Sequence, residues 1–233
     1  MEKNYYATLD SKYLLQTLIG KGGTSLVFLG RSIDDAKRSY AIKTINSENA
    51  KSKLKLDPYE NEKKALKELG DANSNIITLY SFGIGPLQTA TTKETTHTKY
   101  LVLEVALVNF YHLLSIPGRP FSEKMCRYIF REIIAGVEVC HKKDYFHRDI
   151  KPANIMLTHD GGGEGNCFNI KLTDFGYVAS PEEVHFHNSK QYGNGLTQVR
   201  LLMCFRLACA SLCCCWGSSR SSGPSGRIRF ITC

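Results

Sequence analysis

One polar segment restricts the possible folds of this 233-residue chain more than any other feature. It reads His-Arg-Asp-Ile-Lys-Pro-Ala-Asn over residues 147–154, and Asp174-Phe175-Gly176 follows twenty residues after Asn154. Asp149 can accept a hydroxyl proton, and Lys151 can neutralise a phosphate that is being transferred. Asn154 and Asp174 offer the oxygen atoms that magnesium prefers as ligands. The two segments together predict a site for phosphate chemistry.

A glycine-rich segment near the N-terminus is a second candidate for phosphate binding. Residues 20–27 read Gly-Lys-Gly-Gly-Thr-Ser-Leu-Val and lie between two strand-like stretches. Glycine has no Cβ, so backbone N–H groups in such a hairpin can close over phosphates. Glycine turns between strands are common in other proteins too, and on its own this segment is better explained as a simple turn.

Lys43 and Glu62 are candidates for a buried ion pair. Lys43 follows Tyr40-Ala41-Ile42 in a strand whose neighbouring residues point into a core. A lysine is costly to bury unless it pairs with a carboxylate or a phosphate. Glu62 lies on the next predicted helix, at a suitable place to be that partner. For either residue alone, an exposed side chain on a solvated face remains the alternative.

Hydrophobic periodicity predicts five strands and one helix in the first 106 residues. The predicted strands lie around residues 13–15, 26–29, 40–45, 76–82 and 100–106, and the helix covers 58–69, with Gly70 just beyond its end. Residues 88–99, rich in Thr and Lys, are predicted to form a mobile loop. Ser122 is predicted to cap a long helix that ends near His141, followed by short strands at 155–157 and 170–172.

The order and spacing of these elements over residues 13–197 resemble those of a eukaryotic-type serine/threonine protein kinase. The resemblance implies an α+β, two-lobed protein kinase-like fold. Residues 1–106 would form a five-stranded small lobe with one helix that binds ATP, and residues 107–197 a truncated, mainly helical large lobe. The implied reaction is transfer of the ATP γ-phosphoryl group to Ser or Thr hydroxyls of protein substrates, with ATP and Mg²⁺ as cofactors.

The resemblance also implies a role for individual residues. Asp149 would be the catalytic base and Lys151 a second catalytic residue, while Asn154 and Asp174 would bind the metal. Lys43 would contact the α- and β-phosphates of the nucleotide. The other residues expected to form the nucleotide site are Ile19, Gly20, Lys21, Gly22, Gly23, Val27, Ala41, Glu62, Glu104, Ala106 and Met156. Glu62 would hold Lys43 in place. The adenine would be enclosed by Val27, Ala41 and Met156. Residues 104–106 would read the edge of the base through backbone groups.

Further family features and departures concern regulation and completeness. Arg148 is similar to an arginine that pairs with a phosphate on the activation loop, for which Ser189 and Thr197 are the candidate acceptors. Ser25 stands where the family has a third glycine. Residues 107–111 lack the usual glycine pair and the acid that holds the ribose, which predicts reduced nucleotide affinity. No Ala-Pro-Glu-like anchor follows residue 197, which predicts an incomplete large lobe.

Residues 198–233 differ in composition from the rest of the chain and are predicted to be disordered. From Val184 onward there are six Lys or Arg residues and no acid, so the net charge of +8 comes mainly from this end and does not indicate nucleic-acid binding. Six of the nine cysteines also lie here, without the spacing of a zinc site. The longest uncharged stretch is too short to span a bilayer.

Two explanations for this tail remain open. Acylation of Cys213–Cys215 would make it a membrane anchor. The favoured alternative is a shifted reading frame, because residues 198–206 can be encoded so that another frame reads Gly-Thr-Thr-Ala-Tyr-Val-Leu-Pro, which resembles the end of a kinase activation segment. The N-terminus has no apolar signal core, so a cytoplasmic or nuclear location is expected.

Three functional interpretations are compatible with the sequence. An active serine/threonine protein kinase is favoured, because every chemical group that the reaction needs is present. A catalytically inactive kinase-like fragment that binds nucleotide or acts as a scaffold is the main alternative. A small-molecule kinase of similar fold is less favoured. The sequence specifies neither the substrate nor the oligomeric state.

Overall fold

A computed structural model describes residues 6–23, 25–35, 37–45, 57–70, 74–90, 95–116, 121–159 and 168–179. Ser189, Thr197 and the tail at 198–233 lie outside these residues, and what was predicted for them stays a prediction.

The N-terminal lobe is a closed antiparallel barrel of six strands. They are β1 (Ala7–Leu9), β2 (Tyr13–Lys21), β3 (Ser25–Ser32), β4 (Ser39–Ile45), β5 (Leu79–Thr89) and β6 (Thr95–Leu103). Their order around the barrel is β1-β2-β3-β4-β6-β5, because β1 pairs with both β2 and β5. The predicted five strands were one too few. The strand that was not predicted, β1, has only three residues, too few for an alternating pattern to be recognised.

The prediction of a mobile loop at 88–99 was wrong for the described part of that segment. Strand β5 continues to Thr89 and β6 begins at Thr95, with Gln88 paired to Thr95 and Ile84 to Lys99. Threonine is β-branched and packs well on a pleated surface, so a Thr-rich segment favours strand over loop. The predicted strand at 76–82 begins later than expected, at Leu79.

Helix α1 (Pro58–Leu69) confirms the helix predicted from the sequence, with the same bounds. The Asp57 carboxylate accepts a hydrogen bond from the backbone N–H of Tyr59 at 3.0 Å, and Pro58 occupies the first turn, where its missing N–H costs nothing. The helix buries one apolar face, formed by Tyr59, Ala65, Leu66 and Leu69, and on the same side it buries Glu62. This buried glutamate is what makes the helix part of the site.

The second lobe combines a small sheet with one long helix. Its elements are β7 (Val108–Asn109), α2 (Phe110–Leu114), α3 (Glu123–Lys142), β8 (Ile155–His159) and β9 (Phe168–Leu172), with the sheet order β7-β8-β9. The Ser122 hydroxyl caps α3 by accepting from the Met125 N–H at 3.2 Å, which confirms the predicted start of this helix. Strands β8 and β9 are longer than predicted, and β7 and α2 were not predicted.

The connection between α1 and β5 joins the two lobes. The backbone N–H of Leu172 donates to the Asn75 carbonyl at 2.8 Å, and the Ile77 N–H donates to the Leu172 carbonyl at 3.0 Å. The Asn75 side-chain amide also donates to Ile170 O and to Glu132 Oε2, both at 3.0 Å. One continuous core of buried side chains therefore runs from α1 and β6 to α3 and β9. Within the described ranges, no helix is long and apolar enough to cross a membrane.

Candidate active site

Lys43 lies in the cleft between the lobes, between two carboxylates. Its Nζ is 2.6 Å from Glu62 Oε2 and 2.9 Å from Asp174 Oδ1. Strand alternation turns Ile42 into the barrel and Lys43 to the opposite face, toward α1. Burial opposes the charge on Lys43, but the two carboxylates outweigh this effect and raise its pKa. The ammonium is therefore fixed at this point in its charged form.

The two carboxylates differ in their environment. The Glu62 side chain is 1% exposed and the Asp174 side chain 36% exposed. Burial raises the pKa of Glu62, and the Lys43 ammonium only partly offsets that rise. Burial acts in the same direction on Asp174, but there the nearby Lys43 prevails and lowers the pKa. Asp174 is thus a more accessible anion, suited to bind a cation, whereas Glu62 is suited to hold Lys43.

Asp149 is the centre of a second hydrogen-bond network. Its Oδ2 accepts from Lys151 Nζ at 2.7 Å and from the Asn154 amide nitrogen at 3.0 Å, and the same nitrogen donates to the Asp149 carbonyl at 2.9 Å. The hydrogen bond to Asp149 raises the pKa of Lys151. Because the amide nitrogen of Asn154 is used in this way, its oxygen is the atom left for a metal.

The hairpin of β8 and β9 brings the two predicted metal ligands to one end of the sheet. Ile155 pairs with Leu172, and the Thr173 N–H donates to the Asn154 carbonyl at 3.1 Å. Asp174 then adopts a left-handed backbone conformation, with φ of 65°, which aspartate tolerates better than most residues. Direct contacts between Lys43 and Asp174 and between Asn154 and Asp149, and the bond from Thr173 to Asn154, therefore bring the four sequence-predicted residues together.

These residues fit a magnesium ion that is held together with phosphates. Asp174 and Asn154 supply two oxygen ligands, and magnesium usually takes only one or two carboxylates from protein and the rest from phosphates and water. In the described part of the chain there is no cluster of three or more His, Cys, Asp or Glu side chains that could hold a metal alone. The donor set suits a metal that arrives with a nucleotide.

His147 is a functional candidate that was not predicted from the sequence. Its Nε2 lies 3.0 Å from the Thr173 carbonyl, which requires a proton on this nitrogen, and its Nδ1 accepts from the Asp149 N–H at 3.4 Å. The ring packs on Phe175 with centroids 4.6 Å apart. Burial lowers the pKa of His147, so the neutral ring links the two catalytic segments. Its position two residues before Asp149 was the signal in the sequence that could have identified it.

The glycine-rich hairpin is formed as predicted between β2 and β3. The Gly22 N–H donates to the Ser25 carbonyl at 2.8 Å, and Gly20 pairs with Val27. A Cβ on Gly20 would approach the Val27 Cβ to 3.3 Å, so a larger residue would be crowded there. Lys21, Gly22 and Gly23 are exposed at the tip, and Ile19 is 51% exposed.

The residues expected to enclose the adenine lie on three strands. Val27 pairs with Lys43, and Ala41 pairs with Leu103 at the start of the connection between the lobes. Met156 lies on β8 opposite Asn109, on the side of the other lobe. Both Val27 and Ala41 belong to the core that spans the two lobes, whereas Met156 does not contribute to that core.

Residues 104–106 form the connection between the lobes, as expected. The Glu104 N–H donates to the Thr78 carbonyl at 3.0 Å, so this donor is not free to read a base. The Glu104 side chain bonds to Thr78 and to Lys171, which were not predicted as site residues. Ala106 is half-buried next to Leu107, whose N–H donates to the Leu157 carbonyl at 2.7 Å.

Arg148 makes contacts other than the phosphate pairing that the sequence predicted. Its Nε donates to the Tyr177 carbonyl at 2.5 Å, and its Nη2 donates to the Val178 carbonyl at 3.3 Å. Phe146 and Ala179 also exchange two backbone hydrogen bonds, at 3.0 and 3.1 Å. In this conformation the guanidinium holds the backbone that follows Asp174.

A cleft between a β-barrel lobe and a second lobe, with a buried Lys–Glu pair and an Asp–Lys–Asn network, defines a protein kinase catalytic domain. The family model described as "Protein kinase domain" matches residues 13–193, and the chain belongs to this family. Its relatives identify the eukaryotic-type serine/threonine branch.

Two relatives and one solved structure illustrate the similarity. Serine/threonine-protein kinase ULK1 of Homo sapiens is 34% identical over 168 residues, which are 69% of this chain and 14% of that protein. Serine/threonine-protein kinase PknL of Mycobacterium tuberculosis is 30% identical over 172 residues, 74% of this chain and 38% of that protein. A chain of the CAK complex from Chaetomium thermophilum bound to ATP-gamma-S superimposes with a TM-score of 0.55 and 30% identity, covering 73% of this chain and 48% of that one.

Proposed function

We propose that this chain is a serine/threonine protein kinase that uses Mg²⁺ and ATP to phosphorylate hydroxyl groups of proteins. The observation that supports this most directly is the position of Lys43, 2.6 Å from Glu62 and 2.9 Å from Asp174. Few structural roles require a lysine to lie largely buried between two carboxylates from different lobes. A triphosphate needs a fixed cation at such a place.

Each residue has a role in the proposed reaction. Asp149 orients the substrate hydroxyl and accepts its proton, as the hydroxyl oxygen forms a bond to the γ-phosphorus and the bond to the β–γ bridging oxygen breaks. Lys151, 2.7 Å from Asp149, neutralises the phosphoryl group in transit. Lys43 holds the α- and β-phosphates, so the leaving group, ADP, stays bound to this cation when the bond to the γ-phosphorus breaks. Asn154 and Asp174 would hold Mg²⁺, which supplies positive charge to the phosphate oxygens.

Serine and threonine hydroxyls of proteins are the proposed acceptors. The support is Lys151, two residues after Asp149, as in the serine/threonine class, and the names of the relatives. We propose proteins, and neither nucleic acid nor a membrane, as partners. We propose a cytoplasmic or nuclear location.

An inactive fragment that binds nucleotide or acts as a scaffold is the second candidate function. It is favoured by one observation: residues 198–233 do not resemble the family, and the family model ends at residue 193. The chain spans 14% and 38% of the lengths of the two relatives described above.

Comparing the wild-type chain with Asp149→Asn distinguishes the two candidates. Both are incubated with labelled ATP, Mg²⁺ and a generic protein substrate. We expect Asp149→Asn to lower phosphate incorporation by at least about 100-fold, since the general base is lost. Asp144→Asn is the matched control, because Asp144 is exposed and its left-handed backbone also suits asparagine. Equal incorporation by the wild type and Asp149→Asn would rule out the proposed kinase activity and favour the inactive, nucleotide-binding or scaffold fragment.

A further inference from the structure

The Glu104 carboxylate joins three segments that are distant in sequence. Its Oε2 accepts from Lys171 Nζ at 2.8 Å, from the Thr78 hydroxyl at 2.9 Å and from the Thr78 N–H at 3.3 Å. Glu104 is the first residue of the connection between the lobes, Thr78 immediately precedes β5, and Lys171 lies on β9, three residues before Asp174. A single carboxylate oxygen thus ties the connection to both lobes.

Thr78 and Glu104 hold each other through backbone as well as side chain. The Glu104 N–H donates to the Thr78 carbonyl at 3.0 Å, while the Thr78 N–H donates to the Glu104 side chain. This closed pair fixes the backbone direction at Glu104. It leaves the Glu104 carbonyl as the backbone group of that residue that can face a base.

Lys171 is the charge that keeps the Glu104 carboxylate in this place. The Lys171 side chain is 9% exposed and that of Glu104 is 18% exposed, so this ion pair is shielded from water. Without the lysine, a nearly buried carboxylate would have only neutral donors and would move toward solvent, because an unpaired buried charge is strongly unfavourable. Its movement would displace the backbone to which it belongs.

We propose that Lys171 is a positioning residue for nucleotide recognition. It acts through Glu104 to set the backbone of residues 104–106, and so determines how strongly the site prefers adenine over other purines. This inference rests on the proposed function, in which these residues read the edge of the base. Lys171 itself need not touch the nucleotide.

The test is the ratio of affinities for two triphosphates that differ in the base. ATP and inosine triphosphate carry the same phosphates and sugar, but inosine has a 6-oxo group in place of the 6-amino group of adenine. Equilibrium binding of both is measured with Mg²⁺ for the wild type and for Lys171→Met. We expect the preference for ATP to fall by at least about threefold, as when one hydrogen bond to the base is weakened. If Lys171 had a purely structural role, Lys171→Met would lower the affinities for ATP and inosine triphosphate equally and leave their ratio unchanged.

Three further variants make the result specific. Lys171→Arg keeps the positive charge and is expected to keep most of the preference. The double variant Lys171→Met/Glu104→Gln leaves no unpaired charge, so it is expected to fold even if Lys171→Met does not. It is still expected to show the reduced preference, because the ion pair that holds the residue 104 side chain in place is lost in both variants. Lys142→Met removes an exposed lysine whose ion pair with Glu138 spans 2.8 Å on α3, and it is expected to behave like the wild type.

The outcomes separate this inference from the proposed function. A wild-type chain that binds neither triphosphate would overturn the proposed function and the inference with it. A wild type that prefers ATP, with the same ratio in Lys171→Met and in the double variant, would overturn the inference alone. A loss of preference in both variants and its retention in Lys171→Arg would support the inference.

Discussion

Lys43 illustrates how strongly one side chain depends on its partners. Replacing it by methionine leaves Glu62, which is 1% exposed, without its counter-charge. We expect Lys43→Met to lower the free energy of unfolding by about 3–5 kcal/mol, as when one partner of a buried ion pair is removed. Phosphate transfer should fall by at least about 100-fold, because the fixed cation for the triphosphate is lost. Urea denaturation and the labelled-ATP assay measure the two effects.

The double variant Lys43→Met/Glu62→Gln separates the two roles of this lysine. It is expected to recover most of the stability, since the buried Glu62 charge is removed and only the more exposed Asp174 is left without the lysine, but none of the activity. Lys12→Met is the control, because Lys12 pairs with Asp10 on the surface and should matter little to either property. Activity in the double variant would contradict the role of Lys43 as a phosphate-binding cation.

His147 predicts a pH dependence of stability. Because burial lowers its pKa below the ordinary value of 6.5, the unfolded chain binds a proton at a higher pH than the folded chain does. The contribution of the neutral, buried His147 to the free energy of unfolding is therefore fully present above pH 6.5 and is lost as the pH falls. We expect the free energy of unfolding to decrease as the pH falls below 6.5, because the unfolded chain takes up a proton that the folded chain excludes.

Urea denaturation at several pH values tests the histidine prediction. His147→Gln carries no titrating ring, so its stability should change less over this range than that of the wild type. His112→Gln replaces an exposed histidine and should retain the wild-type slope. An identical pH dependence in the wild type and in His147→Gln would show that another group is responsible.

Individual site residues could be predicted where the chemistry is concentrated in a short segment. Asp149, Lys151 and Asn154 lie within six residues, and Lys43 was recognised as an isolated charge in an apolar strand. Lys171 has the same signature, between Ile170 and Leu172, but its partner Glu104 lies 67 positions away. A strand lysine cannot be assigned to a partner at that distance without the fold.

At the scale of elements, a hydrogen bond connects α1 with the segment that precedes the catalytic residues. The Tyr145 hydroxyl donates to Glu68 Oε2 at 2.8 Å, and Tyr145 is 8% exposed. We expect Tyr145→Phe to lower the free energy of unfolding by about 1 kcal/mol, because one hydrogen bond to a charged group is lost without a change in packing. Urea denaturation of Tyr145→Phe and of Tyr111→Phe, whose ring is 58% exposed, provides the comparison. Equal stability of both variants and the wild type would contradict a role for this bond.

Elements with local signals were predicted from the sequence, and elements defined by distant pairing were not. Helices α1 and α3 have capping residues, Asp57 and Ser122, within their own segments. Strand β1 exists because it pairs with β2 and β5, and the latter lies about eighty residues away. The extension of β5 and β6 into 88–99 likewise depends on their mutual pairing, which no local window contains.

At the scale of the whole molecule, the two lobes are held together by backbone and side-chain hydrogen bonds as well as by apolar packing. Asn75 contributes to three of these bonds, with its carbonyl and its amide group. The cleft therefore has a fixed wall on the side of the α1–β5 connection. The barrel lobe, in turn, owes its closure to three residues near the N-terminus.

Deleting residues 1–10 tests the importance of β1 for the whole molecule. The deletion removes Ala7 and Leu9, both fully buried, and leaves residues 13–15 of β2 and 87–89 of β5 without a partner on one side. We expect a lower midpoint of urea denaturation and concentration-dependent self-association in sedimentation velocity experiments. Ala7→Asp is a milder variant that should lower stability while preserving chain length. A monomeric, fully stable deletion variant would contradict this expectation.

The closure of the barrel by β1 has a consequence for solubility. An open sheet ends in strands whose unpaired N–H and C=O groups can recruit another chain, and proteins need charges, prolines or bulges to prevent this. Here β1 gives residues 13–15 of β2 and 87–89 of β5 a neighbour on their second side. At this end of the barrel the edges of β2 and β5 are thereby covered, and fusions at the N-terminus are expected to be tolerated only if Ala7–Leu9 can still take their place.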